Sequence, residues 1–158
     1  MINLASENSQ GGGFAAYSVA ATGAATSPTG TYSATSGPDS TPGLTLAASG
    51  TSGGVQANYT AHVEGEVALL LSCVIKASST TPTLQPILCT FEDANGNTVT
   101  SYAAPAAAAA ASTNAIQYQA VVAVPVGAVK AVVNFVNLAW SATGGYTAVL
   151  SSPIVGVL

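Results

Sequence analysis

The sequence predicts an all-β fold, a single β-sandwich, on three observations. Short apolar segments alternate with period two, the spacing that turns one face of a strand toward a core. Turn signals built on glycine and proline recur at short intervals between them, as in chains of many short strands. No amphipathic segment of useful helical length occurs anywhere in the 158 residues. A chain of this length buries roughly 70% of the surface its unfolded form exposes, enough for a core without disulfide or metal staples.

The elements follow in order. Residues 1–13 are polar and end in Gly11-Gly12-Gly13, with no side chain to pack at the hinge, so they read as a flexible N-terminal arm or a loosely held first strand. The sandwich domain is then 14–158. From Phe14 to about Gly54 the turn signals are dense: Ser-Pro-Thr-Gly at 27–30, Gly-Pro-Asp-Ser at 37–40 and Thr-Pro-Gly at 41–43. They separate short strands at 14–20 and 44–47, and Tyr17, Val19, Tyr32, Leu44 and Leu46 are the apolar anchors.

Beyond Val55 the alternation sharpens. Val67, Leu69, Leu71, Cys73 and Ile75 share one face of a strand at 67–76, and Ile87, Cys89 and Phe91 share one face at 84–93. Asp93-Ala94-Asn95-Gly96 predicts a hairpin turn, because Asn-Gly tolerates positive φ at low cost, and 97–102 returns as the partner strand. The alanines at 106–111 have helical propensity, but a run this short between Pro105 and Ser112 is marginal as a helix and is expected as a loop with at most one turn. Strands at 115–124, with Ile116, Tyr118, Ala120, Val122 and Val124 inward, and at 128–136, with Val129, Ala131, Val133 and Phe135 inward, flank the break at Pro125-Val126-Gly127. Segments 146–150 and 153–157 complete eight or nine strands. Among sandwiches, this pattern favours a jelly-roll-like arrangement.

Composition removes whole classes of function. Charged residues are 5% of the chain, against roughly 25% in ordinary soluble domains. Lys76 and Lys130 are the only cations apart from His62, and six carboxylates set a net charge of -4. Phosphate neutralisation needs clustered Lys and Arg, so nucleic acid is not an expected partner. Anionic membrane surfaces are excluded for the same reason. Mean hydropathy is +0.48, yet no uninterrupted apolar run reaches the roughly 18 residues of a membrane helix. The opening residues lack a basic segment followed by an apolar core, so synthesis in the cytoplasm without export is expected.

Candidate chemistry is sparse. Glu64 and Glu66 lie two apart around Gly65, which on a strand gives a solvated edge rather than opposed carboxyls across a substrate. A triad would need an activated nucleophile and an orienting acid around His62, and no G-x-S-x-G or comparable elbow occurs in the sequence. Glu92 and Asp93 beside Asn95-Gly96 are explained by turn capping, since a hard cation wants six or more oxygen ligands. Cys73 and Cys89 read first as small buried hydrophobes in adjacent strands, with a disulfide formed after release from the cell as the second reading. No catalytic residue, cofactor or metal is therefore expected. Trp140 and Tyr146 are the candidate partner contacts, because Trp and Tyr dominate interface energetics, together with the Gly11, Gly12 and Gly13 arm, which can order along a partner.

Three segments carry a resemblance. Thr90-Phe91-Glu92-Asp93-Ala94-Asn95-Gly96-Asn97, then 124–133 with Val124-Pro125-Val126-Gly127-Ala128, then Gly144-Gly145-Tyr146 through Val149 resemble strand and turn motifs of carbohydrate-binding modules of the family four and nine type. The resemblance covers about residues 55–158 and implies a jelly-roll sandwich. Where such modules often close with paired aspartates on a structural calcium, this chain has Ala148 and Val149. Domains of this kind recur in phage virions, and the chain resembles the small proteins that decorate or cement bacteriophage capsids. That resemblance implies a structural virion protein on the capsid surface, binding the assembled major capsid protein. The alternative expectation is a carbohydrate-binding module of a tail fibre or other receptor-recognising appendage, with a glycan as partner. Strand edges poor in guarding charges suggest a homo-oligomer, a trimer before a dimer by the same resemblance.

Overall fold

The computed structural model describes residues 2–3, 13–79, 82–108, 114–141 and 146–158. Twelve strands are found among them: β1 (Ile2–Asn3), β2 (Ser18–Thr22), β3 (Thr26–Ser33), β4 (Gly43–Ser49), β5 (Gly53–His62), β6 (Ala68–Ala77), β7 (Thr83–Glu92), β8 (Thr98–Ala103), β9 (Ala107–Ala108), β10 (Ile116–Ala123), β11 (Lys130–Trp140) and β12 (Tyr146–Val157). They form two antiparallel sheets. Sheet A runs β10-β6-β12-β4-β3, with β1 on β12; sheet B runs β2-β5-β11-β7-β8, with β9 on β7. From β3 to β7 the chain changes sheet at nearly every step, as does β10 to β12, the crossing pattern of a jelly-roll-like sandwich.

Period-two alternation places the core. Leu69, Leu71, Cys73 and Ile75 from β6 are fully buried against Ile87, Cys89 and Phe91 from β7 and Ala131, Val133 and Phe135 from β11. β10 lays Tyr118 opposite Cys73 and Ala120 opposite Leu71, as the alternation requires. The two cysteines lie on consecutive strands, but in opposite sheets, and both are free thiols inside the core. Val67 does not continue its face: it lies before β6 and is exposed.

Several expectations are corrected. Ser-Pro-Thr-Gly at 27–30 is not a turn but the middle of β3, an edge strand. Proline is tolerated there because an edge strand has one side without ladder bonds. The turn falls instead at Gly23, with φ +62. The strand expected at 14–20 begins only at Ser18, after a 3-10 turn at Gly13–Ala16. Of the two readings of residues 1–13, Ile2 and Asn3 follow the first-strand one, pairing with Val157 and Gly156; Gly11 and Gly12 lie outside the described residues. Ala107 and Ala108 of the alanine run pair with Leu84 and Thr83, and 109–111 lie outside the described residues.

The segments 146–150 and 153–157 are one strand broken by a bulge. Register slips between Ser151 and Ile154 in β12, between Phe135 and Leu138 in β11 and between Thr26 and Thr29 in β3. At each slip sits a left-handed residue that is not glycine: Ser152 (φ +47), Val136 (φ +58) and Ser27 (φ +51). An extra residue in a strand reverses the facing of everything after it. Hence β11 buries Ala131, Val133 and Phe135 before the bulge and Leu138 and Trp140 after it.

Candidate functional site

Trp140 and Tyr146 are brought together at one end of the sandwich, with ring centroids 5.6 Å apart. Trp140 is only 6% exposed, and its indole N–H donates to the Gly50 carbonyl at 3.4 Å. Its edge reaches a shallow recess with Thr83, Ala139 and Ser141, so most of its area is spent on the core. Gly13 opens the 3-10 turn that leads into β2.

The ionisable candidates do not gather into one site: His62 meets Glu64 at one turn, whereas Glu92 serves an ion pair and Asp93 a hairpin. Glu64 and Glu66 are not on a strand: they belong to the β5–β6 turn, where Gly65 has φ +82 and the Glu66 N–H donates to the Val63 carbonyl. His62 Nε2 lies 3.6 Å from Glu64 Oε2, both side chains well exposed. Glu92 pairs across strands with Lys130 at 2.6 Å. Asp93 organises the β7–β8 hairpin by accepting from the Asn95 and Asn97 backbone N–H groups, both at 2.8 Å, and from Asn97 Nδ2 at 3.0 Å. The Asn97 side-chain bond first, then those backbone bonds, hold its carboxyl below the ordinary carboxylate value. Positive φ in this turn falls on Gly96, at +83.

An aromatic groove lies elsewhere, at the seam where the edge strands β2 of sheet B and β3 of sheet A run side by side. It has a volume of about 550 Å³ and is lined by Phe14, Tyr17, Val19, Pro28, Gly30, Tyr32 and Leu44. Tyr32 pairs with Leu44, so its ring leans along the core side of an edge strand and stays 41% exposed. Phe14 packs on it with centroids 5.9 Å apart, and Tyr17 continues inward to Tyr59 at 5.3 Å and Phe135 at 6.1 Å. Gly30 keeps the groove open, because a Cβ there would come within 2.6 Å of Val19 Cγ2. The Tyr17 hydroxyl is buried without a hydrogen-bond partner among the described residues. Burial, with Tyr59 and Cys73 nearby, raises its pKa far above the usual tyrosine value. A concave recess of 300–1,000 Å³, mostly apolar with a few polar groups, is the usual form of a small-molecule site.

On the outer face of sheet B, neutral polar side chains recur in cross-strand rows, with Asn134 itself buried. Ser18, Asn58, Asn134 and Leu88 form one cross-strand row, and Thr60, Val132, Thr90 and Ser101 the next. Asn134 Nδ2 donates to Asn58 Oδ1 at 2.7 Å and Asn137 Nδ2 to Gln85 Oε1 at 3.4 Å. Amides and hydroxyls both donate and accept, which suits hydroxyl-rich ligands better than charged ones.

The sequence reading treated Tyr17, Val19 and Tyr32 as core anchors and missed them as a site. The available signal was the cluster of aromatics at 14, 17 and 32 within a Ser/Thr/Gly-rich stretch. Nothing in that stretch says that β2 and β3 meet edge to edge.

No protein-family model and no curated protein matches the chain. Among solved structures, it is similar to the enzymatically active domain of tailspike protein 4 of bacteriophage CBA120 (TM-score 0.64, 22% identity), over 92% of this chain and 20% of that one. It is also similar to a carbohydrate-binding module of the β-sandwich superfamily (TM-score 0.64, 8% identity), over 90% of this chain and 57% of that one. A family 11 carbohydrate-binding module from Clostridium thermocellum, in complex with a mixed-linked β-1,3-1,4 tetrasaccharide, matches end to end (TM-score 0.56, 8% identity; 89% and 88% covered). The chain thus spans about a fifth of the tailspike chain and just over half of the second. These likenesses show the fold, a two-sheet antiparallel β-sandwich like that of the carbohydrate-binding modules among the neighbours; they show neither the family four and nine type nor a capsid decoration protein.

Proposed function

We propose that the chain is a glycan-binding module of a virion appendage that recognises a host-surface saccharide, acting by binding and not by turnover. The observation that carries this reading is the aromatic groove, with Tyr32 half open to solvent over Phe14. The axial C–H face of a sugar ring packs on an aromatic plane, while hydroxyls and neutral amides meet its hydroxyl groups. A chain with so little charge is suited to that exchange, since neutral contacts need no counterion release. A carbohydrate-binding module solved with its tetrasaccharide and the enzymatically active domain of a phage tailspike, both similar in fold, support this reading over decoration of the capsid through the major capsid protein.

The test is a glycan array, followed by binding to surface polysaccharide of the host. Tyr32→Ala is expected to weaken binding about tenfold, the loss of one aromatic contact of about 1.4 kcal/mol. Absence of any glycan ligand, or a Tyr32→Ala variant that binds as tightly as the parent, refutes the assignment. Fractionating virions into capsids and tails separates the two virion locations directly.

A further inference from the structure

Away from the groove, the outer face of sheet A holds a second recess of about 360 Å³. Its floor is a single cross-strand row: Gln117 of β10 pairs with Val74 of β6, and Val74 with Ser151 of β12. Its wall is the 3-10 turn Pro38–Ser40, closed by the Gly37 N–H on the Thr41 carbonyl at 2.8 Å and by Thr41 Oγ1 on the Pro38 carbonyl at 2.6 Å. Gly37 lets this turn descend onto the sheet, since a Cβ there would come within 2.5 Å of Ser151 Oγ. Asp39 and Ser152 complete the lining.

Ser151 is the telling residue. It is 1% exposed and its Oγ has no hydrogen-bond partner among the described residues, whereas buried hydroxyls are normally satisfied. Next to it the recess offers an exposed Gln117 amide, the Asp39 carboxylate and the Ser152 hydroxyl, with Val74 and Pro38 as an apolar patch. No lysine lines it, which disfavours an anion, and one carboxylate is too few for a hard cation. What matches is a neutral ring with hydroxyls on its rim and C–H groups on its face.

We infer that this recess is a second saccharide site, taking one neutral pyranose ring against Gln117, Asp39 and Ser151, independently of the aromatic groove. The ring's hydroxyls would accept from and donate to Gln117, donate to Asp39, and supply the partner that Ser151 lacks. The inference goes beyond the groove assignment and stands whether or not the groove binds sugar.

The experiment is an amide chemical-shift titration of the whole chain with the methyl glycosides of glucose, galactose, mannose and N-acetylglucosamine. With at least one of them, the Gln117 side-chain amide and the Asp39 and Ser152 backbone amides are expected to move together. Gln117→Ala should then weaken that binding about tenfold, and Tyr32→Ala should leave it unchanged. Ser151→Ala, which removes only an unpartnered oxygen, should stay folded and also bind more weakly. Shifts confined to Phe14, Tyr17 and Tyr32 would uphold the groove and overturn this site. No shift at the recess with any of the four glycosides, or full affinity in Gln117→Ala, would likewise overturn it.

Discussion

Raising the pH should unfold this protein in a way set by three buried groups. Burial pushes the Cys89 thiol up from 9.0 to about 12 and pushes Cys73 higher still; the Tyr17 phenol rises likewise from 10.0. Each folded pKa lies above its unfolded value, so the folded state retains a proton that the unfolded chain has lost. Stability from these groups is therefore complete below about pH 8 and falls as pH rises through the unfolded values. By about pH 10.5 each thiol costs about 2 kcal/mol and the phenol about 1 kcal/mol, some 5 kcal/mol together. That is comparable to the lower end of the 5–15 kcal/mol that holds a typical domain folded. Urea unfolding under reducing conditions at stepped pH measures it directly. The expected slope approaches about 3 kcal/mol per pH unit above the thiol range, and each of Cys73→Ala and Cys89→Ala should remove about 1.4 kcal/mol per unit from it. Slopes, not absolute stabilities, carry the comparison, since either substitution also leaves a small cavity. A urea midpoint flat from pH 8 to about 10.5, or a slope unchanged in the double variant, would refute the reasoning.

Other outcomes follow from the same packing. Tyr17→Phe removes a buried hydroxyl without a partner and should stabilise by about 1 kcal/mol, raising Tm by roughly 2–4 °C; a loss of stability in calorimetry would mean that the hydroxyl is bonded. Gly30→Val sets a branched side chain against Val19 and Leu44 and should cost about 1–3 kcal/mol while filling the groove, so glycan affinity should drop in protein that circular dichroism shows still folded. Phe135→Ala empties a fully buried site and should cost about 3–5 kcal/mol in urea unfolding. Saccharide binding should change less than about twofold between low and high salt, because the contacts are neutral; a steep salt dependence would point to a charged ligand.

Much of the fold was legible in the residues. The alternation of Leu69, Leu71, Cys73 and Ile75, and of Ile87, Cys89 and Phe91, fixes which side chains enter the core, because side-chain direction in a strand reverses at every residue. Asp93 to Gly96 marks its hairpin by local chemistry alone, and the shortage of charge, a sum over the chain, is read from the sequence without any structure.

Three kinds of feature were decided only by the assembled sheets. Bulges at Ser27, Val136 and Ser152 leave no mark in the sequence, since nothing local favours left-handed valine or serine; neighbouring strands hold them there. Ser-Pro-Thr-Gly reads as a turn, yet becomes strand because β3 has a vacant edge at which proline is harmless. Both recesses depend on long-range pairings: Phe14 meets Tyr32 where two sheet edges adjoin, and Gln117, Val74 and Ser151 meet across three strands distant in the chain. Sequence governs what each residue prefers over a few neighbours, whereas a binding recess forms from residues far apart in the chain that only the closed sandwich brings together.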